Sequence, residues 1–325
     1  MTIDKAFLEK FALSTERAAF GALPFIGKGD KIAADKGAVD EMRSALNNIN
    51  MKSTVVIGEG EMDEAPMLYI GEILGTKKGP EFDIAVDPLE GTNFTAKGLP
   101  NAFSVLAVSE KGNLLSAPDT YMDKIVIGSD LPHRLLDLDN KIEKNIMLLA
   151  EAKGKKISEI NACILKRTRH NKIIKPLEEM NVKINYISDG DIAGALSVIG
   201  ENPSNDIYLG RGGAPEGVIT AAALSCLGGQ IQCRLVISDE VELLRAKKLG
   251  IKDHNKKYNI EDMVKGDVIF SATGVTDGDL VKGVINYKDK YEVNSLVMHK
   301  SQNINKKITN IYNKWMYFPL LEKTG

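Results

Sequence analysis

Two periodicities alternate along this chain. From residue 4 to 22 the apolar residues Phe7, Leu8, Phe11, Ala12 and Ala18 recur at helical spacing and predict an amphipathic helix. Residues 38–49 repeat that spacing and predict a second helix. Residues 54–57 form a short β-branched run, read as a strand, and residues 67–74 read as a helix after it. At Phe82 the pattern switches to period two. Phe82, Ile84 and Val86 alternate with Asp83 and Ala85, as in a strand with one buried face. Pro88 lacks an N–H and has a fixed φ, so it is expected to end that strand and leave Asp87 at its carboxyl edge. Residues 101–109, 113–117 and 121–128 read as consecutive strands joined by tight turns. They predict a meander extending the sheet that began at Thr54.

Beyond a charged, less periodic stretch at 131–144 the rhythm changes. Short apolar strands at 163–166, 182–187, 206–209, 231–237 and 268–272 alternate with helical segments at 171–180, 192–199, 215–227 and 239–248. That βαβα order predicts a largely parallel sheet flanked by helices. Residues 287–298 are strand-like, and the rest of the C-terminal part fits no single pattern. The fold class is thus α/β, with α+β layering, and two regions are expected: residues 1–140 and residues 141–325.

Composition narrows the chemistry. At 325 residues and 43% hydrophobic content the chain can bury a sizeable core. A net charge of −2 and a pI near 6.2 argue against nucleic-acid binding through bulk charge. Residues 1–20 carry charges throughout, so no secretory signal is expected, and no apolar run is long enough for a bilayer. Cys163, Cys226 and Cys233 have no CxxC spacing, which points to reduced, buried thiols in a cytoplasmic protein. His133, His170, His254 and His299 show no HExxH pattern, which argues against a zinc hydrolase.

Candidate chemistry gathers where predicted strands end. Asp87 and Glu90, three residues apart on a stiff turn, suit a hard cation such as Mg²⁺ or Mn²⁺. The Thr92 hydroxyl would sit beside that ion as nucleophile, water positioner or oxyanion donor, unless it caps a short helix. Glu59 follows the strand at 54–57 between two glycines and is the best ligand candidate of its acidic loop. Asp35 stands near the start of a predicted helix, where a cap is the simpler reading. Arg167 and Arg169 at a strand end could fork onto a phosphate. Asp189 and Asp191 could bind metal or sugar hydroxyls, or cap the helix at 192. The loop at 210–217 lacks GxGxxG spacing, and Glu216 at the helix start would repel a phosphate unless a cation stands between them. Metal-dependent phosphate chemistry is favoured over nucleotide binding.

Asp-Pro-Leu-Glu-Gly-Thr at 87–92 resembles the signature of the lithium-sensitive, inositol-monophosphatase-like phosphatases. The stretches at 58–68, 117–122, 188–191, 212–217 and 272–278 together resemble one branch, the bacterial class II fructose-1,6-bisphosphatases. The resemblance spans nearly the whole chain. It implies a sugar-phosphatase fold of alternating helix and sheet layers that requires Mn²⁺ or Mg²⁺. It also implies a metal-binding region at 1–140, a substrate-binding region at 141–325, and a homo-oligomer. Carried over, the metal ligands would be Asp35, Glu59, Asp87, Glu90 and Glu216, with Thr92 and Asp35 catalytic. Around the sugar bisphosphate would stand Glu90, Gly91, Thr92, Tyr121, Arg167, Thr168, Arg169, Asp189, Gly190, Asp191 and Gly213. Thr168 stands where the family pattern has proline, and Arg211 enlarges the glycine loop. The implied reaction is hydrolysis of the 1-phosphate of fructose-1,6-bisphosphate. Its rivals are the same chemistry on sedoheptulose-1,7-bisphosphate or an inositol phosphate, a non-catalytic sugar-phosphate sensor, and, further off, a nucleotide-binding oxidoreductase.

Overall fold

The computed structural model describes residues 2–58 and 67–314. The chain starts with two helices, α1 (Phe7–Ala22) and α2 (Lys31–Asn47), followed by β1 (Lys52–Ile57), β2 (Ile73–Leu74), β3 (Glu81–Glu90), the short helix α3 (Thr92–Lys97) and β4 (Phe103–Glu110). Next come β5 (Tyr121–Ile127), α4 (Ile142–Lys153), β6 (Asn161–Leu165), α5 (Asn171–Glu179), β7 (Lys183–Ile187) and α6 (Asp191–Leu196). Then follow β8 (Ile207–Gly213), α7 (Ala214–Leu227), β9 (Gln230–Val236), α8 (Glu240–Lys248) and α9 (Ile260–Met263). The last four strands are β10 (Val268–Gly274), β11 (Ile285–Asn286), β12 (Lys290–His299) and β13 (Ile304–Asn313).

These elements form two units: residues 1–112 with 266–325, and residues 113–265. The first is discontinuous. Its sheet runs β11-β12-β10-β4-β3-β1-β2, with β13 paired to β12. β1 and β3 are parallel, whereas β3–β4, β4–β10 and β10–β12 are antiparallel. α1 and α2 pack against this sheet, and Phe11, Met42, Leu46, Ile84, Leu106 and Ile269 share one core. The two helices meet through backbone. A Cβ on Gly37 would lie 2.3 Å from the Gly21 carbonyl oxygen, so this crossing requires glycine. α1 also turns a polar stripe inward: the Thr15 hydroxyl lies 2.9 Å from Ser271 Oγ and 2.8 Å from Thr273 Oγ1.

The second unit has a five-stranded sheet, β7-β6-β8-β5-β9. β6 is parallel to β7 and β8, and β5 is antiparallel to β8 and β9. One face packs Ile125, Ile164 and Leu209 against Leu149 and Ile146 of α4 and Leu177 of α5. α6 and α7 contact β6, β8 and β5.

The helices at 171–180, 192–199, 215–227 and 239–248 are present within a few residues, as are most strands. Several expectations are corrected. The boundary near residue 140 falls inside the second unit, because β10 returns to pair with β4. No meander links residues 101–128: β4 and β5 belong to different sheets, and between them, among the described residues, only Leu114 makes an isolated bridge, to Val264. The parallel sheet of the second half is mixed, since β5 joins it antiparallel. Residues 67–74 are not helical; Arg43 donates to the Met67 carbonyl and the segment ends in β2. Pro88 does not end β3. Pairing with β4 continues to Glu90 through a shift between Asp87 and Glu90, so the missing N–H is absorbed by a bulge.

Candidate active site

Within the first unit, α2, β3 and α3 carry the candidate residues, and α2 packs on both β3 and α3. The bulge fixes the spacing of the two carboxylates: Asp87 lies opposite Val105 and Glu90 opposite Phe103. Both are buried, at 9% and 6% exposure, and Asp87 Oδ1 accepts the Leu89 N–H at 3.0 Å. Gly91 follows with φ of 83°, where a Cβ would stand 2.8 Å from Phe94 Cδ2, so the turn that launches α3 requires glycine. Thr92 is then the first residue of α3.

Asp35 is not the cap of α2. Asp30 is, its side chain accepting the Ala33 N–H at 3.0 Å. Asp35 lies in the second turn, where its Oδ1 is shielded from solvent and has no hydrogen-bond partner among the described residues. Burial pushes its carboxyl up to about 6. A buried acceptor without a donor is costly unless something else fills the place, and a cation is what such an oxygen suits. The donors are carboxylates, the hard ligands that Mg²⁺ and Mn²⁺ favour. Glu59 lies outside the described residues. Among those described, no three or more His, Cys, Asp or Glu side chains gather as a metal site.

The second unit brings its candidates to one edge of its sheet. β6, β7 and β8 are parallel, so their carboxyl ends share that edge, and antiparallel β5 begins there. Along it stand Asp189 after β7, Arg167 to Arg169 after β6, Gly213 at the end of β8 with Glu216 beyond it, and Tyr121 at the start of β5. Tyr121 lies directly opposite Gly213. The Arg169 guanidinium stacks over the Tyr121 ring at 4.9 Å and donates to the Arg211 carbonyl from Nε (3.0 Å) and Nη2 (2.8 Å). Arg167 donates from Nη1 to the Lys166 carbonyl at 3.0 Å, and Thr168 is exposed. Arg211 forks onto Asp123 at 2.8 and 3.1 Å.

His170 lies beneath this edge with no exposure. Its Nδ1 faces the Leu165 carbonyl at 2.6 Å and its Nε2 accepts the Arg211 N–H at 2.8 Å. These partners assign the proton to Nδ1 and make His170 a clamp between β6 and β8.

Gly190, with φ of 81°, turns the chain into α6, whose first residue is Asp191. Asp191 makes no side-chain cap. Its Oδ1 accepts the Tyr208 hydroxyl and its Oδ2 accepts Lys124 Nζ at 2.6 Å. Pro215 occupies the first turn of α7, as its spacing predicts, with Glu216 next to it. Burial pushes the Glu216 carboxyl above the usual range; Lys124 opposes that rise and Asp191 adds to it. Burial pulls the Lys124 ammonium down, but the attraction of Asp191 and Glu216 outweighs it and the group stays protonated.

Sequence reading missed Lys124, Tyr208 and the clamp role of His170. The period-two pattern of β5 carried a signal for Lys124, which falls on the face of Met122 and Val126.

A family described as bacterial fructose-1,6-bisphosphatase, glpX-encoded, matches residues 5–312. The fructose-1,6-bisphosphatase class 2 of Haemophilus influenzae is 40% identical over 324 residues, covering 95% of this chain and 97% of that protein. Fructose-1,6-bisphosphatase 1 class 2 of Escherichia coli is 43% identical over 289 residues, 85% of each chain. Among solved structures, an extragenic suppressor from Pyrococcus furiosus aligns at TM-score 0.30 and 19% identity, over 59% of this chain and 70% of that one. An IMPase of Thermotoga maritima aligns at TM-score 0.30 and 17% identity, over 60% and 72%. The sequence matches run through both units, and the chain belongs to the bacterial class II fructose-1,6-bisphosphatase family.

Proposed function

We infer that this protein hydrolyses the 1-phosphate of fructose-1,6-bisphosphate, giving fructose 6-phosphate and orthophosphate. The observation that carries this reading is the family match from residue 5 to 312. The residues supply the parts such a reaction needs. Arg167 and Arg169 bring fixed positive charge to a phosphate, and Arg169 is pre-ordered by its stack on Tyr121 and its two bonds to the Arg211 carbonyl. Asp189, Gly190, Asp191, Gly213, Glu90, Gly91 and Thr168 complete the proposed sugar-bisphosphate set. Thr92, at the start of α3, orients the attacking water in line with the bond from phosphorus to the sugar oxygen. Water adds to phosphorus and gives up a proton, and the bond from phosphorus to the sugar oxygen breaks. The departing sugar oxygen takes up one proton, so no proton is gained or lost overall.

Asp35, Glu59, Asp87, Glu90 and Glu216 form the proposed ligand set for Mn²⁺ or Mg²⁺. When bound, the cation supplies charge neutralisation and lowers the pKa of water. Asp35 has two readings, ligand and base, and Asp35→Asn separates them. Lost Mn²⁺ affinity marks a ligand; retained affinity with lost turnover marks a base. The same reading makes the protein a cytoplasmic homo-oligomer serving gluconeogenesis. No helix among the described residues is long and apolar enough to cross a membrane.

The test is phosphate release from fructose-1,6-bisphosphate after EDTA treatment, with Mn²⁺ or Mg²⁺ then restored. Release that returns with metal, and falls by about 10²–10³ in Thr92→Ala with substrate binding retained, is the expected result. No release by folded protein under either metal would sink the reading.

A further inference from the structure

Lys124 has a side chain with no exposure, paired to an Asp191 side chain that is 6% exposed. Such a residue is poorly explained by stability. Taking an ammonium out of water costs about as much as its partner returns, and an apolar side chain of similar length would fill the space without that cost. Its surroundings point elsewhere.

The bend from β8 into α7 has glycine at 212, 213 and 217. A Cβ on Gly212 would fall 1.6 Å from Asp191 Oδ2, and one on Gly213 would fall 2.0 Å from Glu216 Oε2. The two carboxylates are therefore folded against one stretch of backbone, in space that only glycine leaves open. Lys124 reaches the same stretch: its Nζ is 2.6 Å from Asp191 Oδ2, and its Cε is 3.3 Å from a Cβ built on Gly217. Asp191 opens α6 and Glu216 lies in the first turn of α7. Like charges in a poorly solvated place repel strongly, and a cation beneath them allows both to stay.

We propose that Lys124 is a positioning residue of the hydrolysis. Its buried ammonium ties down Asp191 and offsets the repulsion between Asp191 and Glu216, so that both helix starts keep the geometry that binds sugar phosphate and cation. The proposal rests on the phosphatase reading above. Lys124 itself touches neither substrate nor metal.

The test is the Mn²⁺ affinity of the full-length Lys124→Met protein, read from the signal of free Mn²⁺ in electron paramagnetic resonance, with a melting curve to establish folding. Two ideas predict opposite signs. If Lys124 were only a nearby positive charge, its removal would tighten cation binding. If it positions the carboxylates, its removal weakens Mn²⁺ binding about tenfold or more. Weakened binding in a folded variant supports the proposal; unchanged or tighter binding overturns it. Should Lys124→Met fail to fold, Lys124→Met with Asp191→Asn removes the uncompensated carboxylate and conserves net charge. Positioning then predicts about tenfold weaker Mn²⁺ binding, and affinity within about twofold of wild type overturns it. Wild-type protein that neither binds Mn²⁺ nor hydrolyses fructose-1,6-bisphosphate would remove the phosphatase reading and the proposal with it. Wild type that does both, beside variants that match it, removes the role of Lys124 alone.

Discussion

Asp35 is held in an environment that taxes its charge. Its carboxyl titrates at about 6, against 3.8 for an ordinary aspartate, because burial disfavours the ionised form. In metal-free protein the stability linked to this group is complete below about 3.8 and is lost as pH rises through about 6. Asp35→Asn removes that dependence. With EDTA present, the variant should be more stable than wild type at pH 8 by at most about 3 kcal/mol, and nearer 1 because the residue is partly exposed. The gap should close by about pH 4. Urea melts at three pH values check this, and a gap independent of pH would contradict it. Residues of this kind divide by how local their signal is. Asp87, Glu90 and Thr92 could be read together because one turn carries them. Asp35 looked like a cap because nothing in its spacing reveals that Asp30 already caps the helix. Lys124 acts on residues 67 and 92 positions away, a relation no spacing rule encodes.

The placement of α2, and of Asp35 upon it, depends on the backbone contact between Gly21 and Gly37. Propensity alone predicts that Gly37→Ala, in a helix interior, would stabilise by about 1 kcal/mol. The added Cβ would instead sit 2.3 Å from the Gly21 carbonyl oxygen, and the neighbour is backbone, which cannot swing away. The net expectation is a loss of about 1–3 kcal/mol and a weakened response to Mn²⁺ as α2 shifts. A melting temperature at or above wild type would show that the helices separate freely. Long periodic elements were the legible part of the fold: α1, α5, α7 and α8 all lie close to where the hydrophobic spacing puts them, whereas α2 starts at Lys31, seven residues before the predicted 38. Failures came where backbone pairing overrode local chemistry. Pro88 reads as a stop, yet β3 passes through it because a bulge removes the need for its N–H.

At the scale of the molecule, residues 113–265 are an insertion into the first unit. The chain leaves after β4 and returns at β10, and these strands pair directly, Ser109 opposite Val268. Periodicity cannot reveal such a pairing, since nothing in either strand names its partner. The reading of one boundary near residue 140 followed from taking the chain as continuous. Both ends of the inserted unit are tied locally: the Leu115 N–H donates to the Met263 carbonyl at 2.8 Å and the Lys265 N–H to the Asn113 carbonyl at 2.8 Å. A chain arrested on the ribosome once residue 265 has emerged should therefore show a protease-resistant 113–265 while 2–112 is still cut. Resistance in the opposite order would argue against this.

The β4–β10 pairing also has a consequence for biosynthesis. When β4 leaves the ribosome, the strand that must cover its edge has not been made. At about 5–20 residues per second, translating residues 113–265 takes on the order of 10 s. For that interval the buried residues Val105, Leu106, Ala107 and Val108 lie on a strand with one edge unpaired. An open apolar edge is what trigger-type chaperones and neighbouring nascent chains bind. Synonymous codons that slow elongation across the insertion should lower the soluble yield of the protein without changing one residue of it.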